Sequence, residues 1–192
     1  RDDVDRIAWW LDVEEVSSRW FGHYGCGDPI HRGYDPRHML EASDLEWESV
    51  FSDPHRLIYS IFNEREEHIG ECQVILDNEG GAELSLLIGR KDLWHRGYGT
   101  STVMALLDKT FEEFGLSRTW VSVPEDNDPA LGLFKKLGFA QQATRELCRR
   151  PDGVAIDTRI LGMDSDRHHV RKPSVSEGRR SQTPVVTISG LP

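Results

Sequence analysis

The sequence predicts a single α+β domain in which helices flank a mixed sheet. Three observations support this fold class. Apolar residues recur at helical spacing over residues 4–51, three strand patterns then follow one another between polar turns, and helix and strand patterns alternate after that. A length of 192 residues suits one well-buried domain with a tail.

Two helices are predicted near the start of the chain. Residues 4–20 place apolar side chains at helical spacing, and residues 37–51 form a second helical segment that ends before Asp53 and Pro54. The segment between them, 25–36, is rich in glycine, aspartate and proline, so we expect a loop there.

Three antiparallel strands are predicted next. Residues 57–63 and 68–76 alternate apolar and polar side chains around a charged turn, which is typical of a hairpin. A second turn at 77–81 leads into a third strand at 82–88. The remaining predicted elements are a helix at 100–114, a strand at 119–123, a short helix at 130–137 and a final pair of strands at 139–149 and 154–163.

The chain beyond residue 163 has a different composition. Residues 164–184 are polar and rich in Pro, Ser and Gly, which is typical of a linker. Residues 185–192 then form a β-branched run that ends in Gly190, Leu191 and Pro192. This segment is predicted to be either the start of a truncated P-loop kinase-like domain or a disordered tail, so residues 1–163 are the predicted domain.

Charge and composition limit the classes of partner. A formal net charge of −10 disfavours nucleic acid and favours a cationic amine. No apolar run approaches the roughly 20 residues needed to span a bilayer, and the charged first residues are unlike a signal peptide, so we expect a cytoplasmic protein without membrane contact. Three cysteines without CxxC spacing predict reduced thiols, and the eight histidines show no metal-ligand spacing, so no metal is predicted.

The glycine-rich loop after the third predicted strand is a candidate phosphate site. Gly97 and Gly99 allow a tight turn that leaves backbone N–H groups pointing in front of the following helix. The helix dipole adds partial positive charge there, and Arg96 adds a full one, so the sequence predicts that a diphosphate binds at this loop.

Two motifs together resemble the GNAT superfamily of acyl-CoA-dependent N-acyltransferases, over roughly residues 4–163. The family loop Gln/Arg-x-x-Gly-x-Gly/Ala corresponds to residues 94–99, with Trp94 at the first position. The family pattern Asn-x-x-Ala-x-x-x-Tyr, followed by Leu-Gly-Phe, corresponds to residues 127–134 and 137–139, with Phe134 in place of Tyr. The tryptophan-rich first helix and the ending Ile-Asp-Thr-Arg-Ile-Leu-Gly-Met at 156–163 are most similar to those of the subgroup that contains ribosomal-protein N-terminal, polyamine and some antibiotic acetyltransferases.

The resemblance implies a mostly antiparallel twisted sheet with a V-shaped opening between strands 82–88 and 119–123, which would hold acetyl-CoA as cosubstrate. Family members also open with a strand before the first helix, and we expect that strand to be missing here. The implied cofactor-binding residues are Leu86, Leu87 and Ile88 for the pantetheine arm, His95, Arg96, Gly97, Tyr98, Gly99 and Thr100 for the pyrophosphate, and Asn127 and Phe134 from the second motif.

The family reaction is direct attack of a neutral primary amine on the thioester, which implies an N-acetyltransferase acting on a small molecule or peptide. Glu83 is the candidate base, because it lies at the spacing from the glycine pair where some relatives carry a catalytic glutamate. Phe134 cannot donate a proton, so either CoA leaves as a thiolate, or Tyr98, Ser122 or water is the acid. The alternative is a non-catalytic acyl-CoA-binding or regulatory module. Lys135 and Lys136 are weaker candidates for binding the 3′-phosphate.

Overall fold

The computed structural model describes residues 1–20, 34–149, 153–171 and 183–190. Most of the predicted loop at 25–36 lies outside the described residues. The described helices are α1 (Asp2–Leu11), α2 (Glu14–Ser17), α3 (Pro36–Met39), α4 (Asp44–Phe51), α5 (Tyr98–Asp108), α6 (Asp128–Leu137) and α7 (Ser165–Arg171). The described strands are β1 (Arg56–Phe62), β2 (His68–Leu76), β3 (Gly81–Ile88), β4 (Arg118–Pro124), β5 (Ala140–Arg149), β6 (Ala155–Asp164) and β7 (Thr187–Gly190).

Both helices predicted near the start of the chain are interrupted, so those two predictions were wrong in extent. Val13 has extended backbone angles and separates α1 from α2. Ser43 is extended too, and its side chain accepts a hydrogen bond from the Glu46 backbone N–H, which starts α4 afresh after α3. Apolar spacing continues across both breaks, and for that reason periodicity alone did not reveal them.

The strands form one sheet, in agreement with the predicted fold class. Within the described residues the order is β5-β6-β4-β3-β2-β1-β7, and every neighbouring pair is antiparallel except β3 and β4. A short 3₁₀ turn, Lys91–Leu93, links β3 to the glycine-rich loop, and a π-helical turn, Lys109–Glu113, extends α5. The predicted hairpin and the strand that follows it are confirmed.

Helices cover both faces of the sheet. On one face, the main core joins Val74 of β2 and Leu84 of β3 to Val103 and Leu106 of α5. On the opposite face, Leu87 of β3 packs with α1 and α2 in a smaller cluster, and another cluster joins Ile58 of β1 to α1 and α3. Because side chains alternate along a strand, β3 contributes Leu84 to the main core on one face and Leu87 to the smaller cluster on the other.

The chain after residue 163 differs from the predicted polar linker and tail. Residues 165–171 form α7, and Thr187–Gly190 forms an edge strand antiparallel to β1. Val186 and Ile188 are partly buried against the main core. Residues 187–190 are therefore part of the sheet, and a further kinase-like domain stays a prediction.

In the described part of the chain, the helices are too short or too polar to span a lipid bilayer.

Candidate functional site

The opening between β3 and β4 results from how briefly these strands pair. Parallel pairing covers only Gly81 to Glu83 on β3, although β3 continues to Ile88. Beyond Glu83 the side of β3 that faces β4 has no strand partner among the described residues. The Ile88 carbonyl accepts from the Trp94 indole N–H, and the other backbone groups on that side can pair with a ligand. The two strands therefore diverge as the predicted V-shaped opening requires.

A cavity of about 400 Å³ lies in this opening. The lining includes residues of both sequence motifs, from the glycine-rich loop and from α6. The predicted cofactor residues that line it are Leu86, Leu87, Ile88, His95, Gly97, Gly99, Thr100, Asn127 and Phe134. Arg96, Tyr98 and Glu83 are not among the lining residues. Ligands are typically bound in concave, largely apolar sites of this size, so this cavity is the candidate functional site.

The glycine-rich loop has the backbone geometry of an anion site. Gly97 directly precedes α5 and has a φ of +93°, a left-handed conformation that glycine adopts without steric cost. The first N–H groups of α5 have no partner within the helix, and Gly99 and Thr100 both line the cavity. The positive end of the α5 dipole therefore meets the cavity, where a phosphate group would be stabilised.

Arg96 and Tyr98 differ from their predicted roles. Arg96 is exposed and does not line the cavity. Tyr98 is buried, and its hydroxyl donates to the Glu64 carboxylate at 3.0 Å, on the β1–β2 turn. Burial and the neighbouring Glu64 raise the pKa of Tyr98. The Tyr98 hydroxyl is thus directed away from the cavity, which removes it as the proton donor.

Asn127 and Phe134 both line the cavity from α6. The Asn127 side chain accepts from the Ala130 backbone N–H at 3.3 Å and so caps the helix. Its Nδ2 donates to the Arg19 carbonyl at 3.4 Å. Phe134 packs edge-to-face on Phe139, with ring centroids 5.1 Å apart. Asn127 therefore caps α6, which is the structural role that the sequence offered as the alternative to a ligand contact. Phe134 forms part of an apolar wall of the cavity.

Glu83 is buried, and it reaches the cavity indirectly. The Ser122 hydroxyl of β4 donates to the Glu83 carboxylate of β3, across the point where the two strands separate. Ser122 lines the cavity. This arrangement connects the cavity to Glu83 through the Ser122 hydroxyl. The hydroxyl hydrogen of Ser122 is already donated to Glu83, so it is not directed at a leaving group in the cavity.

The cavity lining is cationic although the chain is acidic. Arg19 and Lys136 are among the lining residues, and the described lining contains no carboxylate. Lys136 was a weak candidate, and Lys135 is exposed and does not line the cavity. Arg19 was missed by the sequence analysis, because its place depends on Trp94, far along the chain. This charge distribution favours an anionic ligand.

A second buried glutamate lies on β2, away from the cavity lining. Glu71 accepts hydrogen bonds from the Tyr34 hydroxyl and from Gln73 Nε2, the latter at 2.9 Å. Arg56 in turn donates to Gln73 Oε1 at 3.0 Å. Burial raises the pKa of Glu71 to about 7, against the lowering effect of the Tyr34 and Gln73 hydrogen bonds. No sequence signal marked this residue.

One group of side chains has the composition of a cation site. Asp108, Glu112 and His168 bring their ligand atoms within 4.8 Å of one another near the end of α5. His168 Nε2 lies 3.1 Å from an Asp108 carboxylate oxygen, so an ordinary hydrogen bond accounts for this contact. The expected absence of a metal stays a prediction, and sequence spacing had no means of detecting a group that joins two distant segments.

Strands that separate around a cavity, with a glycine-rich loop opening a helix beside it, place an anion site at one end of the opening. The chain belongs to the GNAT acetyltransferase family: the sequence model described as the Acetyltransferase (GNAT) domain matches residues 1–140. An uncharacterized N-acetyltransferase p20 of Bacillus licheniformis is 29% identical over 105 residues, which cover 54% of this chain and 58% of that protein.

Another relative is an N-acetyltransferase 9-like protein of Caenorhabditis briggsae, 29% identical over 110 residues that cover 53% of this chain and 50% of the relative. The chain thus spans about half the length of the curated relatives it matches. Among solved structures, spermidine N-acetyltransferase from Vibrio cholerae in complex with CoA and spermine has a TM-score of 0.69 at 18% identity, covering 88% of this chain and 94% of that one. This likeness shows the fold.

Proposed function

We propose that this protein is an acetyl-CoA-dependent N-acetyltransferase that transfers an acetyl group to a primary amine of a small molecule or peptide. The observation that carries the proposal is the cavity between the diverging strands, where residues of both family motifs meet. Family membership supports it, because the matched region includes β3, the glycine-rich loop and α6.

The chain offers complementary groups along the length of acetyl-CoA. The backbone of Leu86, Leu87 and Ile88 would bind the pantetheine arm, because it lacks a β4 partner in the described sheet. The N–H groups at the start of α5 would bind the diphosphate, beside Gly97. Acetyl-CoA supplies the acetyl thioester, and the protein supplies binding and orientation.

Glu83 and Ser122 are the proposed route for the amine proton. The acceptor nitrogen forms a bond to the thioester carbonyl carbon, the carbon–sulfur bond breaks, and the amine proton passes to Glu83 through Ser122 or a water molecule. Phe134 cannot protonate the departing sulfur, and Tyr98 is bonded to Glu64. The leaving group therefore departs as a thiolate and takes its proton from water.

A cationic amine is the proposed acceptor class. The net charge of −10 favours approach of a cation. A structural relative was crystallised with spermine, which makes polyamines the first acceptors to test, followed by aminoglycosides and peptide N-termini. The proposed location, the cytoplasm, is where acetyl-CoA and such amines meet.

A non-catalytic acyl-CoA-binding module is the second candidate function. The observation in its favour is Phe134, which lines the cavity where the family usually has tyrosine. A module of this kind would bind CoA through the same loop and would need neither Glu83 nor Ser122.

A transfer assay separates the two functions. CoA binding is measured by calorimetry, and free thiol release from acetyl-CoA is followed with a panel of polyamines, aminoglycosides and peptides. Thiol release that depends on one acceptor class, with acetylated product identified by mass spectrometry, is the expected result. CoA binding without acetylated product from any acceptor would reject the transferase and favour the module.

A further inference from the structure

Arg19 lies at the mouth of the cavity and contacts both of its walls. Its guanidinium carbon lies 4.9 Å from the centroid of the Trp94 ring, a cation–π distance. Trp94 is itself held against β3, because its indole N–H donates to the Ile88 carbonyl at 2.7 Å. On the other wall, the side chain of Asn127, the N-cap residue of α6, donates to the Arg19 carbonyl. Arg19 thus spans the opening near its rim.

Arg19 lines the same cavity as the anion site at Gly97, Gly99 and Thr100. Trp94 directly precedes His95, and the loop from His95 to Gly97 leads into α5. A guanidinium that stacks through its face keeps its N–H groups in the plane, where they can bind two phosphate oxygens at once. Arg19 is exposed, and it lines the cavity, whereas Arg96 on the loop itself does not.

We propose that Arg19 is a cosubstrate-binding residue whose guanidinium pairs with the diphosphate held at the start of α5. It takes the electrostatic role that the sequence had assigned to Arg96. The inference rests on the proposed function for the identity of the ligand, and it adds a contact from the turn that follows α2. Trp94 orients the guanidinium, so the pair acts as a unit.

Calorimetry with CoA tests this role in the whole chain. Arg19→Gln is expected to weaken CoA binding roughly tenfold or more, because it removes a charge-assisted hydrogen bond. Arg19→Lys keeps the charge but loses the planar stack, so an intermediate loss is expected. Arg37→Gln is the matched control, because Arg37 also stacks on a tryptophan, 5.4 Å from the Trp20 centroid, and does not line the cavity.

Truncated ligands identify which group Arg19 binds. Dephospho-CoA keeps the diphosphate and lacks the 3′-phosphate, and pantetheine lacks all the phosphates. An equal loss for CoA and dephospho-CoA, with no loss for pantetheine, is the expected result. A loss of affinity for CoA alone would assign Arg19 to the 3′-phosphate. A loss of affinity that includes pantetheine would show that Arg19 packs over the cavity without binding the diphosphate. Either result overturns the proposal.

Two further outcomes are decisive. CoA affinity that is unchanged in Arg19→Gln but reduced in Arg96→Gln would return the role to Arg96 and overturn the inference. CoA binding that depends on Arg19, in a protein that acetylates no amine, would reject the proposed transferase while leaving this inference standing. The binding and transfer measurements therefore fail separately.

Discussion

Glu83 and Glu71 are two buried glutamates on the same face of the sheet, and they differ in what connects them to the cavity. Strand register pairs Ile75 with Glu83 and Leu87 with Glu71, so both side chains lie on the face opposite the α5 core. Glu71 is enclosed by Tyr34 and Gln73, and neither of these lines the cavity. Glu83 is bonded to Ser122, and Ser122 does line it.

This difference separates burial from access. Desolvation perturbs a carboxyl group wherever it occurs, and a raised pKa at Glu71 alone would make it the obvious candidate base. A base must also be within reach of the proton that it removes, directly or through one hydroxyl or water. Glu83 meets that requirement through Ser122, so we propose a catalytic role for Glu83 and a structural role for Glu71.

The largest expected effect is loss of turnover in Glu83→Gln. Removing a general base typically costs 10²- to 10⁴-fold, about 2.7 to 5.5 kcal/mol, and the loss should fall on kcat with little change in KM. Steady-state kinetics from pH 6 to 9 measure it. Glu71→Gln is the matched control and should keep kcat within about threefold at pH 7. Turnover near that of the wild type in Glu83→Gln would break the comparison and remove Glu83 from the mechanism.

The second effect is a pH-dependent stability that belongs to Glu71. Burial raises the pKa of Glu71 to about 7 in the folded protein, above its ordinary value of 4.5, so the folded state binds the proton more tightly. The contribution of Glu71 protonation to the free energy of unfolding is fully present below pH 4.5. It is lost as the pH rises through about 7, by on the order of 3 kcal/mol.

Urea unfolding of the wild type and Glu71→Gln between pH 4.5 and 8.5 measures this loss. The wild type should lose stability relative to the variant across that range, because glutamine has no proton to release. Parallel stability profiles for the two proteins would show that Glu71 is ionised or solvated as in the unfolded chain, and the contrast with Glu83 would then lose its basis.

Features that depend on residues close together in the sequence were predicted, and features that depend on residues far apart in the sequence were not. The hairpin of β1 and β2 and the boundaries of β3 depend on local alternation, and they were predicted well. Glu83 was proposed as the base from its spacing to the glycine pair on the same segment, and that role stays a prediction. Glu71 and Arg19 were not found, because each is defined by a partner on a distant segment, Tyr34 and Trp94 respectively. Local patterns contain no information about such pairs.

The helices near the start show a different limit. A continuous apolar stripe predicts one helix, but a single extended residue such as Val13 redirects the chain without changing the stripe. Ser43 was a detectable signal, because serine followed three residues later by glutamate is a capping pattern. Cap residues therefore deserve the same weight as periodicity in a chain of this type.

The third effect concerns Ser122, which links Glu83 to the cavity. Ser122→Ala is expected to lower kcat about tenfold, since water can replace part of the relay. Ser122→Thr keeps the hydroxyl and should restore most of the activity. In a double-mutant cycle, Ser122→Ala should have little further effect in the Glu83→Gln background, because a relay that ends at Glu83 has no function without it. Fully additive losses would mean that the two residues act independently, and Glu83 would then need another route to the acceptor.

The smallest expected effect concerns two residues with a strained backbone, one in the cavity lining and one outside it. His95 has a φ of +61° and Glu66 a φ of +59°, and in the described chain these are the non-glycine residues with positive φ. Such conformations cost roughly 1 kcal/mol or more for a residue with a Cβ atom. Glycine at either position should relieve that cost, so both variants should be at least as stable as the wild type.

Only His95 lines the cavity, whereas Glu66 lies in the β1–β2 turn. His95→Gly should therefore weaken CoA binding about two- to fivefold through loss of the imidazole contact, and Glu66→Gly should leave it unchanged. Thermal unfolding and calorimetry on the same samples separate the two quantities. Equal CoA affinity in both variants would show that His95 is held in its strained conformation by the loop alone, and that its side chain contributes no binding energy.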